Sequence, residues 1–311
     1  MILIGMIILL EILIIISNFS MKNYDIEMWK YSNKLKIKSE FPVLGHEHKI
    51  SKSARLQSVD ISLNNLGLRH DEDLSWKHRF DRRILFLGSS ITLGWGVDYE
   101  KIFTTRISNM FHELGRDAQV INAGIGNYST ERYVNLFFLK LKKLNPTDIV
   151  VNYFINDIEI IQTPKENFLL KYSQLAVTVY NIYMRYFQSK GIDNLVDYYS
   201  ELYKKENNSF IKMKNSLQSL SEYSRNNNIK LYITLMPDTY DLKNYKFKFV
   251  SKIIKELSDE FKYSFIDLYP ILSNKDRNEV WVMKNDPHPN AHTHNLIAKE
   301  IFKKIDISTL N

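Results

Sequence analysis

From Arg83 to the C-terminus, short apolar runs alternate with amphipathic stretches along the chain. The stretch at residues 129–144 repeats its apolar side chains at helical spacing, with Ser129 or Thr130 as its N-cap. Strands that alternate with helices predict a parallel sheet covered by helices on both faces, so we predict an α/β fold. The five runs with strand character are residues 84–87, 119–122, 149–154, 230–235 and 264–268.

The beginning of the chain has a different pattern. Residues 1–16 are apolar except for Glu11, which makes the run borderline in length, because a membrane span needs about 20 apolar residues. No Lys or Arg precedes the run, and no small-residue cleavage site follows it, so the pattern favours an uncleaved single-pass anchor over a signal peptide.

These patterns divide the chain into three predicted parts. Residues 1–19 form the hydrophobic anchor, and residues 20–80 form a polar N-terminal extension with a helix near residues 24–38. Residues 81–311 form the main domain, with a helical insertion at about 162–225. We expect the tyrosine-rich helix of this insertion to pack on the core. The alternatives are that it forms a lid or faces a membrane.

Composition excludes some kinds of chemistry. The 311 residues include no cysteine, which excludes disulfides, thiolate catalysis and cysteine–zinc sites. The net charge is +7, but the lysines are scattered, and no arginine-rich block, zinc finger or ribonucleoprotein motif is present. We therefore predict no nucleic-acid partner.

Two serines end the first predicted strand, in the glycine-rich sequence "GSSITLGWGV". A serine on a tight turn after a strand has its hydroxyl raised above the sheet edge. It can act as a nucleophile there if a base and donors for an oxyanion lie nearby. Serines at strand ends are more often caps, so Ser90 by itself does not identify a catalytic site.

Three further segments bring complementary groups to predicted strand ends. "VINAGIGNYST" contains Gly126 and Asn127, which tolerate the left-handed backbone that turns an N–H toward a bound oxygen. "VVNYFINDIEI" contains Asn156, whose amide is a neutral donor for a developing oxyanion. "NDPHPNAHTHNLIA" contains His288, a general base, and Asp286, a carboxylate that can hold the imidazole tautomer.

The histidine-rich end of the last segment also has a metal interpretation. His288, His292 and His294 lie near Asp286, but their spacing does not form the H-E-x-x-H pattern of a zinc helix. We therefore predict no metal and no cofactor.

Taken together and in this order, the four segments resemble the blocks of the SGNH (GDSL-type) hydrolase family. Ser90 stands at the nucleophile position of a G-D-S-x-T block, "FINDI" is similar to the G-x-N-D block, and His288 stands at the position of the base. The segment at residues 64–73, "NNLGLRHDED", resembles one found in membrane-linked bacterial members. The resemblance covers roughly residues 59–305. It implies a three-layer α/β/α sandwich with a five-stranded, flavodoxin-like parallel sheet.

Three positions depart from the family pattern. Ser89 stands where the family has an aspartate, and Asn127 stands where the second block has its glycine, with Gly126 one place earlier. The family acid lies three residues before the histidine, where this chain has Asn285, whereas Asp286 is two residues before it. Either the loop places Asp286 behind the imidazole, or the site is a serine–histidine dyad.

The resemblance implies a serine esterase. His288 would take the proton of Ser90, Asp286 would orient His288, and the oxyanion hole would comprise the backbone N–H groups of Ser90 and Asn127, or Gly126, with the Asn156 amide. An O-acyltransferase would use the same residues, and the three departures also leave open a non-catalytic glycan-binding protein.

For a membrane-linked member of the family, the implied substrate is an acyl ester, in the first place an acetyl ester, on a cell-envelope carbohydrate or another small ester. The protein would be a single-pass protein of a bacterial cell membrane, with the catalytic domain on the extracytoplasmic side. Lysines at 22, 30, 34, 36 and 38 follow the apolar run, and the positive-inside rule would place the domain in the cytoplasm instead. A cytoplasmic thioester or lipid hydrolase is the corresponding alternative.

Overall fold

The computed structural model describes residues 2–77, 79–162, 167–188 and 195–307. Residues 163–166 and 189–194 of the predicted insertion lie outside the described residues. The strands are β1 Lys36–Lys38, β2 His46–His48, β3 Ser53–Leu56, β4 Val59–Ser62, β5 Arg82–Gly88, β6 Ala118–Gly124, β7 Asp148–Phe154, β8 Lys230–Met236, β9 Ser264–Asp267, β10 Trp281–Met283 and β11 Asp286–Pro289. The α-helices are α1 Ile2–Ser17, α2 Tyr24–Leu35, α3 Ser90–Leu93, α4 Phe103–Glu113, α5 Thr130–Leu136, α6 Phe168–Tyr172, α7 Gln174–Gln188, α8 Leu195–Leu202, α9 Asn208–Asn226, α10 Lys248–Phe261, α11 Tyr269–Leu272, α12 Arg277–Val280 and α13 Ala291–Ile307.

Strands β5 to β9 form one parallel sheet in the order β6-β5-β7-β8-β9. This confirms the predicted α/β fold, and each of the five predicted runs overlaps one of these strands. Gly88 at the end of β5 is paired with Gly124 of β6 and with Asn152 of β7, so the carboxyl ends of these three strands meet. Because the chain continues to opposite sides of β5, this edge is the switch point at which α/β sheets bind ligands.

Alternate side chains of the sheet enter two apolar clusters, one on each face. Leu85 and Leu87 of β5 join a cluster with buried side chains of α5, α9 and α10. Ile84 and Phe86 join the other cluster with side chains of α4 and α13. A strand alternates its side chains between faces, so buried residues on both faces require a helical layer on each side. This confirms the three-layer sandwich.

The segment at residues 20–80 packs against the main domain. Tyr31 of α2 and Ile61 of β4 are fully buried, in a cluster that also contains Leu93 and Trp95 from the segment after β5. The helix predicted near residues 24–38 ends at Leu35, because the next three residues pair with β2 as strand β1. The division into an extension and a main domain stays a prediction, but the extension contributes directly to the core beside the sheet edge.

The N-terminal helix projects from the rest of the chain. Together with the short 3₁₀ turn after it, α1 gives a continuous helix at Ile2–Ser20 with a mean hydropathy of 2.6, and only 6% of it is buried. It is long and apolar enough to cross a membrane. The tyrosine-rich helix of the insertion, α7, contacts α1 and α2, and none of its described side chains belongs to the apolar clusters, so it does not pack on the core as predicted.

Candidate active site

The first element of the site is the turn between β5 and α3. Strand β5 ends at Gly88, where an added Cβ would lie 2.1 Å from the Thr92 hydroxyl oxygen, so the tight turn requires glycine. Ser90 then begins α3, and its hydroxyl oxygen lies 2.7 Å from Nε2 of His288. This distance is within the range in which a histidine can take a proton from a serine nucleophile.

The second element is the loop that carries His288. Strand β11 pairs with β10 as a short antiparallel ribbon, and it places Asp286 and His288 beside the end of β5. Oδ1 of Asp286 lies 2.5 Å from Nδ1 of His288 and also accepts the backbone N–H of His288 at 3.1 Å. Asp286, two residues before the histidine, is thus the residue behind the imidazole, whereas Asn285 is exposed.

The other carboxylate oxygen of Asp286 accepts two hydrogen bonds from outside its own loop. Gln57, in the turn between β3 and β4, donates its side-chain amide at 2.6 Å, and Trp95 donates its indole N–H at 3.1 Å. Burial of this fully enclosed carboxylate would raise its pKa, but the hydrogen bonds from His288 and Gln57 outweigh it and hold the pKa of Asp286 below its ordinary value. Asp286 therefore remains ionised and can keep the Nδ1 proton on His288.

A second buried carboxylate fixes Gln57 itself. Glu27 of α2 accepts the backbone N–H of Gln57 at 2.7 Å, and its other oxygen pairs with Lys30 at 2.7 Å. Both Glu27 and Gln57 are buried. Helix α2 is thereby connected to the acid of the serine–histidine pair through a continuous series of hydrogen bonds.

The loop after β6 supplies backbone groups to the site. The N–H of Gly126 donates to the hydroxyl of Tyr31 at 2.9 Å, and that hydroxyl lies 2.6 Å from Nε2 of His48. An added Cβ on Gly126 would lie 2.7 Å from the Tyr31 ring. Asn127, at φ 65°, then turns into the left-handed region that asparagine tolerates, and it lines the pocket. Of the two predicted backbone donors, the N–H of Gly126 is thus already bonded to Tyr31, whereas Asn127 lines the pocket.

The turn after β7 connects the nucleophile to the third predicted donor. Asn156 lies in a 3₁₀ turn and lines the pocket, and its neighbour Asp157 is fully buried. Asp157 accepts the backbone N–H of Phe154, and the Ser89 hydroxyl is hydrogen-bonded to it. Burial raises the pKa of Asp157 to about 8, although these two hydrogen bonds lower it. Ser89 thus holds the nucleophile turn against the turn that carries Asn156.

These groups surround a small cavity of about 190 Å³. One wall is Tyr24 and Met28 of α2, and the Tyr24 ring centroid lies 5.9 Å from that of His288. Ser90 and His288 form the base of the cavity, and its polar lining includes Glu159, which accepts the Tyr199 hydroxyl at 2.9 Å. Burial raises the pKa of Glu159 above its ordinary value.

The other histidines do not join the site. His294 is fully buried, and its Nδ1 accepts the backbone N–H of Phe103, while His292 is exposed. Among the described residues, no group of three or more His, Asp or Glu side chains could hold a metal ion.

Sequence reasoning missed the groups that support the site. Gln57, Glu27 and Tyr31 lie far from the four segments along the chain, in a stretch with no motif of its own. Trp95 lies inside the first segment, and the only sequence feature that marked it was its position between two glycines. No local pattern could have identified Gln57 and Trp95 as partners of Asp286, because they come from two elements outside its own loop.

Comparison with known proteins identifies the family. The family model described as the GDSL-like lipase/acylhydrolase family matches residues 86–296. A search of curated proteins gives no match. The chain belongs to the GDSL-like lipase/acylhydrolase family, and it is an ester-hydrolysing enzyme of the serine hydrolase type.

Several solved structures are similar to this chain. The esterase EstA from Pseudoalteromonas sp. is 16% identical, with 74% of this chain and 100% of that chain covered at a TM-score of 0.47. The acetyl xylan esterase AlAXEase is 18% identical, with 72% and 99% covered and a TM-score of 0.47. A catalytic mutant of the acetylxylan esterase Axe2 from Geobacillus stearothermophilus is 13% identical, with 74% and 96% covered and a TM-score of 0.47.

We predict that Gln57→Met lowers kcat about tenfold or more with little change in KM. The variant keeps the length of the side chain but removes a donor to Asp286, and a hydrogen bond to a charged group is worth about 1.5–3 kcal/mol. Steady-state kinetics with a chromogenic ester measure the effect. Ser58→Ala, in the same turn but with an exposed side chain, is the matched control. Equal kcat in the two variants would contradict a positioning role for Gln57.

We also predict that Asp157→Asn reduces the pH dependence of stability. The parent carboxyl group keeps its proton up to about pH 8 when folded, but loses it near its ordinary value of 3.8 when unfolded. Its contribution to the free energy of unfolding is therefore present at low pH and is lost as pH rises through about 8. Urea unfolding at a series of pH values should show that the free energy of unfolding falls less with rising pH in Asp157→Asn than in the parent, by a few kcal/mol. Asp60→Asn, at an exposed position, should follow the parent; parallel curves for Asp157→Asn and the parent would contradict the prediction.

Proposed function

We propose that the enzyme hydrolyses a short acyl ester, in the first place an acetyl ester on a carbohydrate, with Ser90, His288 and Asp286 as its catalytic triad. The observation that carries the proposal is the continuous arrangement from Asp286 through His288 to Ser90, with His288 between its two partners at 2.5 Å and 2.7 Å.

In the first half of the reaction, Nε2 of His288 takes the proton of Ser90 while the serine oxygen attacks the ester carbonyl carbon. The tetrahedral intermediate collapses, the bond to the alcohol oxygen breaks, and the imidazolium gives its proton to that oxygen. In the second half, His288 removes a proton from water, which attacks the acyl-enzyme, and the carboxylic acid leaves as Ser90 recovers its proton. Asp286 holds the Nδ1 proton and stabilises the imidazolium in both halves.

The oxyanion would be received by the backbone N–H groups of Ser90 and Asn127 and by the amide of Asn156. All three residues line the pocket around the Ser90 hydroxyl. The Gly126 N–H is already donated to Tyr31, which favours Asn127 for this role. Donors that are fixed before the reaction stabilise charge at little cost, because they need not reorient in the transition state.

The size and lining of the cavity support a small acyl group on a hydroxyl-rich leaving group. The cavity of about 190 Å³ beside Tyr24 and Met28 of α2 leaves room for a short acyl chain. Asn156 and Glu159 at the pocket present hydrogen-bonding groups that suit sugar hydroxyls. The N-terminal helix would anchor the enzyme in a bacterial cell membrane, with its catalytic part on the extracytoplasmic side.

We predict that Ser90→Ala and His288→Ala each abolish hydrolysis of p-nitrophenyl acetate by the full chain in detergent. Ser89→Ala should only reduce turnover, because Ser89 holds the turn through Asp157 and its hydroxyl is not the one bonded to His288. Circular dichroism checks that all variants fold. Added glycan acceptors, followed by product analysis, detect any acyl transfer to sugar. Equal turnover in parent, Ser90→Ala and His288→Ala would overturn the proposal.

We predict that Asn156→Ala lowers kcat by about 10²–10³, the effect seen when one oxyanion donor is removed from other enzymes. Its side chain is exposed at the pocket, so the substitution leaves the core unchanged. Asn109→Ala, at an exposed asparagine of α4, is the control for general asparagine loss. A normal kcat in Asn156→Ala would remove this residue from the oxyanion hole.

A further inference from the structure

The end of the apolar N-terminal helix lies close to the catalytic pocket. The helix that is long enough to span a membrane ends at Ser20, and Tyr24, four residues later, forms a wall of the pocket. Four residues extend over at most about 14 Å. The Tyr24 ring is 5.9 Å from the His288 ring. Once the length of the Tyr24 side chain is included, the ring of the catalytic histidine is therefore within roughly 25 Å of the end of the apolar helix, whatever path residues 21–23 take.

Hydrogen bonds attach this helix to the body of the enzyme, so it is more than a tether. Glu11, the one charged residue of α1, accepts the Ser173 hydroxyl and the backbone N–H groups of Gln174 and Leu175 at the start of α7. Asn18 donates to the Gln174 side chain. A carboxylate at a helix N-terminus is stabilised by the helix dipole, and these donors replace the water that Glu11 would lack in an apolar span.

Helix α7 is attached in turn to the helix that forms the pocket wall. Just before α7, the backbone carbonyl of Leu170 accepts the Trp29 indole N–H at 2.6 Å, and that of Lys171 accepts the Asn33 amide at 3.2 Å. Trp29 and Asn33 belong to α2, which also carries Tyr24. These hydrogen bonds therefore fix the pocket wall relative to α7 and α1.

The outer surface of α6 and α7 is apolar and aromatic and is continuous with α1. Tyrosines are enriched where proteins meet the lipid headgroups, and a patch of this kind on a water-soluble surface is uncommon. Side chains between 44% and 75% exposed on this surface are Phe168, Leu169, Tyr172, Val179, Tyr180 and Ile182.

A basic groove lies between the end of the apolar helix and the pocket. Lys22, Arg277 and Lys284 line it together with Asp25, and it shares Tyr24 with the catalytic cavity. Lys and Arg side chains next to a span are attracted to anionic headgroups.

We propose that α1 and the apolar surface of α6 and α7 enter the lipid and thereby hold the mouth of the pocket near the headgroups, and that the substrate is an acyl ester on a lipid-anchored carbohydrate. This inference rests on the proposed esterase function and names its substrate class. Confinement of enzyme and substrate to one surface raises the effective concentration of the ester at the pocket. A pocket within roughly 25 Å of the span is near enough for sugars attached to lipid, and it is poorly placed for distant polymers.

The kinetic test uses the full chain in vesicles of phosphatidylcholine and phosphatidylglycerol. The probes are an acetylated glucosyl diacylglycerol in the same vesicles, the soluble methyl glucoside with the same acetyl ester, and p-nitrophenyl acetate. We expect kcat/KM for the glycolipid to exceed that for the soluble sugar ester by about tenfold or more. Equal values, or a preference for the soluble ester, would overturn the inference. Loss of p-nitrophenyl acetate turnover would instead reject the proposed function.

Variants of the apolar surface separate membrane contact from chemistry. Tyr180→Glu with Ile182→Glu should lower glycolipid turnover about tenfold while leaving p-nitrophenyl acetate turnover unchanged. Leu114→Glu, at an exposed leucine beyond α4, is the matched control and should change neither rate. If the α7 variant keeps full glycolipid turnover, α7 does not contact the membrane as proposed.

A label measurement tests the geometry without using activity. The chain has no cysteine, so single-cysteine variants carry a fluorophore at one site only. Asn278→Cys labels the basic groove, and Asn227→Cys labels an exposed turn before β8, at the opposite edge of the sheet. Headgroup-nitroxide lipids should quench the fluorophore at 278 and leave the one at 227 unquenched. Equal quenching, or none at 278, would overturn the placement of the pocket at the membrane.

Discussion

Four hydrogen bonds converge on the carboxylate of Asp286, two from His288 and one each from Gln57 and Trp95. An ionised carboxylate that is fully buried is costly unless its oxygens are paired, and here both oxygens have partners. The same bonds orient the imidazole toward Ser90. The requirement to satisfy one buried charge therefore determines the positions of the β3–β4 turn, the segment after β5 and the β11 loop.

Two aspartates of the site show how environment assigns different roles to the same side chain. The pKa of Asp286 is held below its ordinary value by hydrogen bonds that outweigh burial, so it serves as a charged acceptor. Burial raises the pKa of Asp157 to about 8, because its few hydrogen bonds do not offset the loss of water. Asp157 acts as a structural link between Ser89 and the turn of Asn156. Opposite shifts of neighbouring carboxyl groups are a common feature of active sites.

The N-terminal segment supplies several of the contacts that support the site, although the family match begins only at residue 86. Tyr31 holds the loop of Gly126, Gln57 holds Asp286, and Tyr24 narrows the cavity. Helix α1 is joined to α2 by a short connection and also contacts α7, which contacts α2, so the apolar helix and the pocket wall are linked.

The sequence alone determined the five strands, their alternation with helices and the four strand-end segments, because short-range periodicity and turn residues encode them directly. It also led to Ser90, His288, Asp286, Asn127 and Asn156 as site candidates. The tertiary structure decided which acid lies behind the imidazole, Asp286 instead of Asn285, and which loop residue lines the pocket, Asn127 instead of Gly126. It also decided that α7 packs on α1 and α2 and that Gln57 and Trp95 support the acid. These outcomes depend on contacts between residues far apart in the chain, whose pairing no local pattern records, because side chains meet only after the sheet has formed.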